Sequence, residues 1–140
     1  MEKTACDPPG ATIVSQSDNT GRVDLPIITA GTNLREKYIE ISVVEGANPC
    51  KVPGGGSPAS SNVTINGIQF LKESASEGAA GNFYDWVAYS TSRNNACISL
   101  KFILHSVNPN NFPTPPPVFD KTAESAVFDT VMNTFNWITP

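Results

Sequence analysis

Two consecutive asparagines, Asn94 and Asn95, divide residues 83–105 into two runs of strand-forming side chains. Asparagine accepts a positive φ angle, and two such residues suit the tight turn of a β-hairpin. A two-residue turn sets the register and decides which side chains share a face. One face pairs Thr91 with Ile98, Tyr89 with Leu100 and Val87 with Phe102, and the other pairs Trp86 with Ile103, Ala88 with Lys101, Ser92 with Cys97 and Tyr84 with His105. The first face is apolar and the second is mixed, so we expect a central hairpin that is packed on one side and partly covered on the other.

A second hairpin is predicted at Asn66-Gly67, because this dipeptide is the strongest short signal for a two-residue turn. Its register places four apolar side chains on one face, namely Val63, Ile65, Ile68 and Phe70. We expect this face to join the core of the main hairpin.

Three further strands are predicted in the first third of the chain. Residues 11–15 and 22–28 are short apolar runs on either side of a polar turn cluster, and Pro26 favours an edge position for the second run. In residues 34–45 apolar and polar side chains alternate, which is typical of a half-buried strand.

Three segments have the amino-acid composition of loops that connect strands and helices. Residues 46–61 are rich in glycine and proline and predict a long surface loop. Residues 73–82 predict a mobile connection into the main hairpin. Residues 106–118 contain five prolines and predict a stiff, extended crossover; a proline-rich ligand for a recognition module is the alternative.

An amphipathic helix is predicted over residues 120–136. Asp120 is a suitable N-cap, and Glu124 lies in the first turn. Apolar side chains recur at helical spacing along one face, at Ala123, Val127, Phe128, Val131, Met132 and Phe135. Such a helix is not stable alone, so we expect it to lie on the apolar face of the sheet, with Trp137 and Ile138 closing the edge of the contact.

Together these elements predict a single α+β domain over residues 11–140, preceded by a flexible tail, residues 1–10. We expect a twisted antiparallel sheet of about six strands with the helix packed across one face. A chain of 140 residues can bury a core of this kind without help from metals or disulfides.

The charge balance and the composition narrow the classes of partner. The net charge is −4, the pI is near 4.8 and the nine Lys and Arg residues form no run, so we expect no nucleic-acid partner. Three cysteines and one histidine lack the spacing of a zinc site, so neither a metal nor a cofactor is expected. No stretch approaches the roughly 20 apolar residues of a membrane span, so a membrane contact would require an N-terminal lipid anchor.

The cysteines bear on the compartment. A bridge between Cys50 and Cys97 would fix the long loop to the mixed face and would indicate an oxidising, extracytoplasmic environment; two unrelated reduced cysteines are the alternative. Cys6 follows the small residue Ala5, as a lipid-attachment cysteine does, but Lys3 stands where such a signal has an aliphatic residue. A free or pairing thiol in the tail is therefore the alternative for Cys6.

His105 is the only histidine, so any Ser-His-Asp or Cys-His chemistry must use it. Asp85 or Asp120 could orient its ring, which makes a small hydrolase one hypothesis for the chain. An ordinary cross-strand contact between His105 and Tyr84 is the alternative.

A binding surface is the second hypothesis for the same region. Tyr84 and Trp86, with Tyr38 beside them, would form an aromatic platform for a sugar if they were exposed, and His105 adds a polar group. Aromatic side chains on a strand more commonly belong to the core.

Three stretches support a resemblance to known proteins. They are Thr-Ile-Asn-Gly-Ile-Gln-Phe (64–70), Gly-Asn-Phe-Tyr-Asp-Trp-Val-Ala-Tyr-Ser (81–90), and Leu-His-Ser (104–106) followed by Pro-Pro-Pro-Val-Phe-Asp (115–120). They resemble secreted bacterial lipoproteins of unknown function, which implies export. Residues 126–135 are similar to the closing helix of PsbP/Mog1-like domains, which implies an antiparallel sheet between helices. Neither resemblance implies a catalytic residue.

The leading hypothesis for function is an exported or surface-tethered, non-enzymatic module that binds a protein, a carbohydrate or another small molecule. A small hydrolase that uses His105 is the alternative from a different class. A structural domain without a ligand is the third.

Overall fold

The structure is a computed structural model that describes residues 11–15, 20–54 and 56–138. These residues form one antiparallel sheet of seven strands and one α-helix. The strands are β1 (Ala11–Ser15), β2 (Thr20–Asp24), β3 (Leu34–Glu45), β4 (Ala59–Ile65), β5 (Ile68–Ala79), β6 (Asn82–Arg93) and β7 (Ala96–Val107), followed by a 3₁₀ turn at Pro109–Asn111 and by α1 (Lys121–Met132). Their order across the sheet is β1-β2-β3-β7-β6-β5-β4. The predicted α+β class is therefore confirmed.

The two asparagine turns set the register as predicted. Asn94 and Asn95 have φ angles of 54° and 63°, and every cross-strand pair predicted between β6 and β7 is found. Asn66 and Gly67 have φ angles of 52° and 77° and place Ile65 opposite Ile68 in the β4–β5 hairpin. Positive φ at both turn positions gives the turn a twist that matches the sheet.

The two faces of the sheet are packed differently. The main core lies between α1 and the face that carries Phe102 and Leu104, and both of these side chains are almost completely buried. Phe70 joins this core, as predicted for the second hairpin. On the opposite face, the loop between β3 and β4 covers a smaller cluster: Tyr38, Val52, Trp86, Ala88 and Ile103.

The helix begins as predicted and ends earlier than predicted. The Asp120 carboxylate accepts a hydrogen bond of 3.0 Å from the Ala123 N–H, which caps the helix. The Asn133 N–H makes the last helical bond, to the Asp129 carbonyl, whereas the N–H groups of Thr134 and Phe135 bond to carbonyls three residues back and tighten the chain into a turn, so the α-helix ends at Met132.

Two side chains at the ends of the helix differ from their predicted roles. Ala123 is exposed, because the helix turns Glu124 toward the sheet instead. Ile138 is 92% exposed and covers nothing. Trp137 does lie at the edge of the contact, because it packs edge-on against Phe135, which borders the main core, with ring centroids 5.2 Å apart.

Two predictions about strands in the first half of the chain were wrong. β2 is not an edge strand, because it lies between β1 and β3. The strand ends at Asp24, so Pro26 lies beyond the ladder and removes no donor from it. The loop after β3 is shorter than predicted, because β4 already begins at Ala59.

The predicted connection at residues 73–82 is instead a continuation of the sheet. β5 extends to Ala79, and only Ala80 and Gly81 turn the chain into β6. Ala80 adopts a φ of 53°, which is unusual for a residue with a side chain, and the Cβ of an alanine at position 81 would lie 2.6 Å from Nδ2 of Asn111. Small residues at this point therefore serve a tight turn and not a mobile linker.

The proline-rich crossover is fixed at both ends by Asn33. The Asn33 peptide group and side chain bond to Val107 at the end of β7, and the same residue bonds to Pro117 and Phe119 just before the helix. Asn33 is 5% exposed, so these bonds are shielded from water. One buried residue thus secures both ends of a crossover in which five residues, the prolines, have no N–H to donate.

Candidate functional site

His105 lies on the face of the sheet opposite α1, in a stack with Tyr84. The two rings are parallel, with centroids 4.5 Å apart, and the His105 Nε2 is 2.8 Å from the Asn82 Oδ1. The His105 Nδ1 is 3.6 Å from the Glu36 carboxylate and makes no hydrogen bond. Among the residues that the structure describes, no serine or cysteine is hydrogen-bonded to this ring. The arrangement is the cross-strand contact that was the alternative to a catalytic role.

The two aspartates considered as partners of His105 lie elsewhere. Asp85 is on the face that carries α1, because it pairs with Leu104 and not with His105 across the hairpin. Asp120 caps the helix. Among the described residues, the half-exposed Glu36 is the one carboxylate near His105, and at 3.6 Å from Nδ1 it makes no hydrogen bond that would orient the ring for proton transfer.

The aromatic platform is not exposed. Trp86 is 8% exposed and Tyr38 is 7% exposed, while Tyr84 is half-buried against the His105 ring. The Lys101 ammonium lies 4.7 Å from the centre of the Trp86 ring and covers part of it. Burial, with the Glu40 carboxylate nearby, raises the pKa of Tyr38 to about 12. These aromatic rings are core side chains of the second face.

A different site lies on the other face, between α1 and strands β5 and β6. It is a groove of about 390 Å³, which we call the helix–sheet groove. Its rim carries polar side chains from three elements: Lys72, Ser74, Ser76, Asp85, Lys121 and Ser125. The volume falls within the range of small-molecule sites in proteins.

The floor of the helix–sheet groove is apolar. Val87, Leu104 and Phe128 line it, and all three belong to the main core or pack against it. Tyr89 also lines it, and burial together with the Asp129 carboxylate raises the pKa of Tyr89. The groove therefore combines an apolar base with a polar rim, which is the usual composition of a ligand site.

Asp85 is the best-placed polar group of this rim. Its Oδ1 accepts hydrogen bonds from the Ser76 hydroxyl and from the Lys121 ammonium at 3.2 Å. The Asp85 side chain is 20% exposed and that of Lys121 is 60% exposed, so the lysine can move aside while the carboxylate stays in place. The Lys72 ammonium is held 5.7 Å from the centre of the Tyr89 ring.

The helix–sheet groove is not predicted by the sequence, because its residues come from distant parts of the chain. Ser74 and Ser76 fall in the segment that was predicted to be a mobile connection, although they alternate with other side chains as strand residues do. The usable signal was the polar run Ser74, Ser76 and Asp85 beside Val87, all on one face once β5 is paired with β6.

A buried ion pair lies beside this groove, under the first turn of α1. The Lys37 Nζ is 3.0 Å from the Glu124 carboxylate, and the two side chains are 1% and 2% exposed. The Glu124 oxygens also accept hydrogen bonds from the N–H groups of Ile28 and Thr29. Burial raises the pKa of Glu124, but the hydrogen bonds from Ile28, Lys37 and Thr29 outweigh it, so the pKa lies below its ordinary value.

Cys50 and Cys97 form a disulfide that attaches the loop between β3 and β4 to strand β7. Cys6 lies outside the described residues.

The described residues contain no group of three His, Cys, Asp or Glu side chains arranged to hold a metal. The α-helix, as far as the chain is described, is too short and too polar to cross a bilayer.

Comparison with protein-family models, with curated proteins and with solved structures gives no match to the chain.

Proposed function

We propose that this chain is an exported or surface-tethered binding module without catalytic activity, and that its ligand lies in the helix–sheet groove. The observation that carries the proposal is the groove itself, in which an apolar floor lies beneath a rim of serine hydroxyls, lysines and the Asp85 carboxylate. Groups that donate and accept hydrogen bonds around an apolar base suit a small hydroxylated ligand such as a sugar.

Two observations support the other parts of the proposal. The disulfide between Cys50 and Cys97 is of the kind that persists in oxidising compartments, which agrees with export. The lone histidine lies against Tyr84 and Asn82, on the opposite face from the groove, which favours binding over hydrolysis. Attachment to a membrane would depend on Cys6.

The test is a ligand titration of the full chain that is monitored by two-dimensional amide NMR. D-glucose, N-acetylglucosamine and glycylglycine serve as probes. We expect saturable shifts for at least one sugar at the amides of Ser74, Ser76, Asp85 and Ser125, and weaker or no shifts for the dipeptide. Asp85→Asn should weaken this binding about tenfold or more, because a hydrogen bond to a charged acceptor is lost.

Asp24→Asn is the matched control, because Asp24 is an exposed carboxylate that also pairs with a basic side chain. It should leave the affinity unchanged. The proposal is contradicted if neither sugar shifts the groove amides, or if the saturable shifts fall on Tyr84 and His105 instead.

A further inference from the structure

The outer edge of the sheet at β4 has no protection against pairing. β4 is the last strand in the sheet order, and its seven residues pair with β5 without a bulge. The strand, Ala-Ser-Ser-Asn-Val-Thr-Ile, contains no charged residue and no proline. Natural sheets normally protect an exposed edge with charges, prolines or bulges. The opposite edge has such a device, because the pairing of β1 with β2 is irregular between Ile13 and Ser15.

The turn at Asn66-Gly67 determines which backbone groups of β4 point outward. In a two-residue hairpin the pair next to the turn, here Ile65 and Ile68, exchanges both hydrogen bonds, and alternate pairs along the ladder do the same. The backbone groups of Ser60, Asn62 and Thr64 therefore point away from β5. Within the described part of the chain, no hydrogen bond reaches them from another element.

From this we infer that two copies of the chain pair through β4, antiparallel and about a two-fold axis at Asn62, into a continuous sheet. Asn62 then faces its own copy, and Ser60 faces Thr64 of the other copy. Three outward residues each offer one N–H and one C=O, so this register forms six intermolecular backbone hydrogen bonds, whereas a two-residue shift leaves some groups unpaired.

The strand is complementary to itself in chemistry as well as in register. No like charges meet, although each chain carries a net charge of −4. Hydroxyl and amide side chains oppose one another on one face, and Val63 and Ile65 lie beside Ser61 and Ala59 of the other copy on the face that carries α1. Such cross-strand pairs are favourable. A second copy thus supplies polar partners on one face of the strand and apolar partners on the other. Because both copies use the same surface, the contact is isologous and gives a closed dimer.

Sedimentation velocity of the full chain between about 10 µM and 1 mM tests the inference, because an interface one strand wide is expected to be weak. The mass should rise with concentration from 14.9 kDa toward twice that value. Asn62→Lys places two positive charges opposite each other and should raise the dimer Kd at least tenfold. An equal mixture of Asn62→Lys and Asn62→Asp should restore association, because the two charges then attract.

Gln69→Lys is the matched control: it adds the same charge on an exposed residue of the neighbouring strand, away from the edge, and should leave the dimer intact. Asn62→Pro removes only an outward N–H and should abolish pairing without disturbing β5. A chain that is monomeric at about 1 mM overturns the inference. A dimer that survives Asn62→Lys also overturns it. The same holds if the β4 amides are protected from hydrogen exchange only when a peptide of sequence 59–65 is added, because whole chains then do not pair with each other.

Discussion

Removing the buried carboxylate of Glu124 is the perturbation that most directly tests how α1 is held on the sheet. Glu124→Ala leaves the Lys37 ammonium with a side chain that is 1% exposed and no counter-charge. It also deprives the N–H groups of Ile28 and Thr29 of their acceptor. Ile28 and Thr29 are exposed, so their N–H groups can form hydrogen bonds with water instead. The loss of unfolding free energy therefore comes mainly from the Lys37 ammonium, which is buried without a counter-charge.

The expected loss of unfolding free energy is about 3–5 kcal/mol, the usual cost of breaking a buried ion pair from one side. Domains of this size are stable by roughly 5–15 kcal/mol, so the loss is a large part of the total. With a urea m-value of about 2 kcal/mol per M, the unfolding midpoint should fall by about 2 M. Lys37→Met combined with Glu124→Gln removes both charges and should cost less than Glu124→Ala alone.

Urea unfolding followed by tryptophan fluorescence measures these shifts. Asp129→Ala is the control on the same helix, where the carboxylate is exposed, and it should change stability by no more than about 0.5 kcal/mol. A loss below about 1 kcal/mol for Glu124→Ala, or a double variant less stable than Glu124→Ala, would refute the account of a buried charge that depends on its partner.

The direction in which the Glu124 pKa is shifted determines how the stability of the chain depends on pH. The pKa of Glu124 lies below its ordinary value of 4.5 in the folded chain, so the unfolded chain takes up the proton first as the pH falls. The contribution of Glu124 to stability is therefore complete above about pH 4.5 and is lost as the pH drops through the folded pKa. Glu124→Gln should flatten the acid side of the stability curve, and an unchanged acid side would contradict this.

Three further predictions concern other parts of the fold. Replacing both Cys50 and Cys97 with Ala should destabilise the chain by up to about 4 kcal/mol in urea unfolding under oxidising conditions, because the bridge spans 47 residues; a loss under about 1 kcal/mol would contradict this. Because the Tyr38 pKa is about 12, Tyr38→Phe should remove the part of the absorbance change at 295 nm that occurs near pH 12, and a variant that keeps this change would contradict the prediction; the stability that Tyr38 contributes is lost as the pH rises from 10 to 12. Ala80→Gly should stabilise the chain by about 1 kcal/mol by relieving a left-handed φ, whereas Ala79→Gly should not; equal effects would count against strain at the turn.

The central sheet could be predicted because its signals are local. Asn94-Asn95 and Asn66-Gly67 each fix a turn with positive φ, and a two-residue turn leaves one register for the strands on either side. The alternation in β3 was equally clear, and its bounds agree with the prediction. Local turn chemistry and strand period are both written in a few consecutive residues, so a single sequence suffices to read them.

The end of β5 could not be predicted in this way. Gly78, Ala79 and Ala80 have low strand propensity, so the sequence predicts a connection over residues 73–82. In the structure the pairing with β6 extends the sheet to Ala79, and the aromatic ring of Phe83 lies against Gly78. Tertiary pairing overrode the local preference.

The buried ion pair was missed although its pattern was present. Lys37 lies on the same face of β3 as Ile39, and Glu124 lies on the same face of the helix as Phe128 and Met132. A lysine on an apolar strand face and a glutamate on an apolar helix face have opposite signs, so they satisfy each other when the helix docks. The helix–sheet groove differs, because three elements must be assembled before its rim exists.

Asn33 fixes the crossover between β7 and α1 at its two ends, through its bonds to Val107 and Phe119. The first half of the crossover is also tied to the sheet, because the Asn108 N–H bonds to the Gly81 carbonyl and the Arg35 guanidinium lies over the Phe112 ring. Pro113, Thr114 and Pro115 are exposed. These three residues are therefore a natural place to graft a foreign loop, such as an epitope or a fluorophore site, while the rest of the molecule keeps its shape.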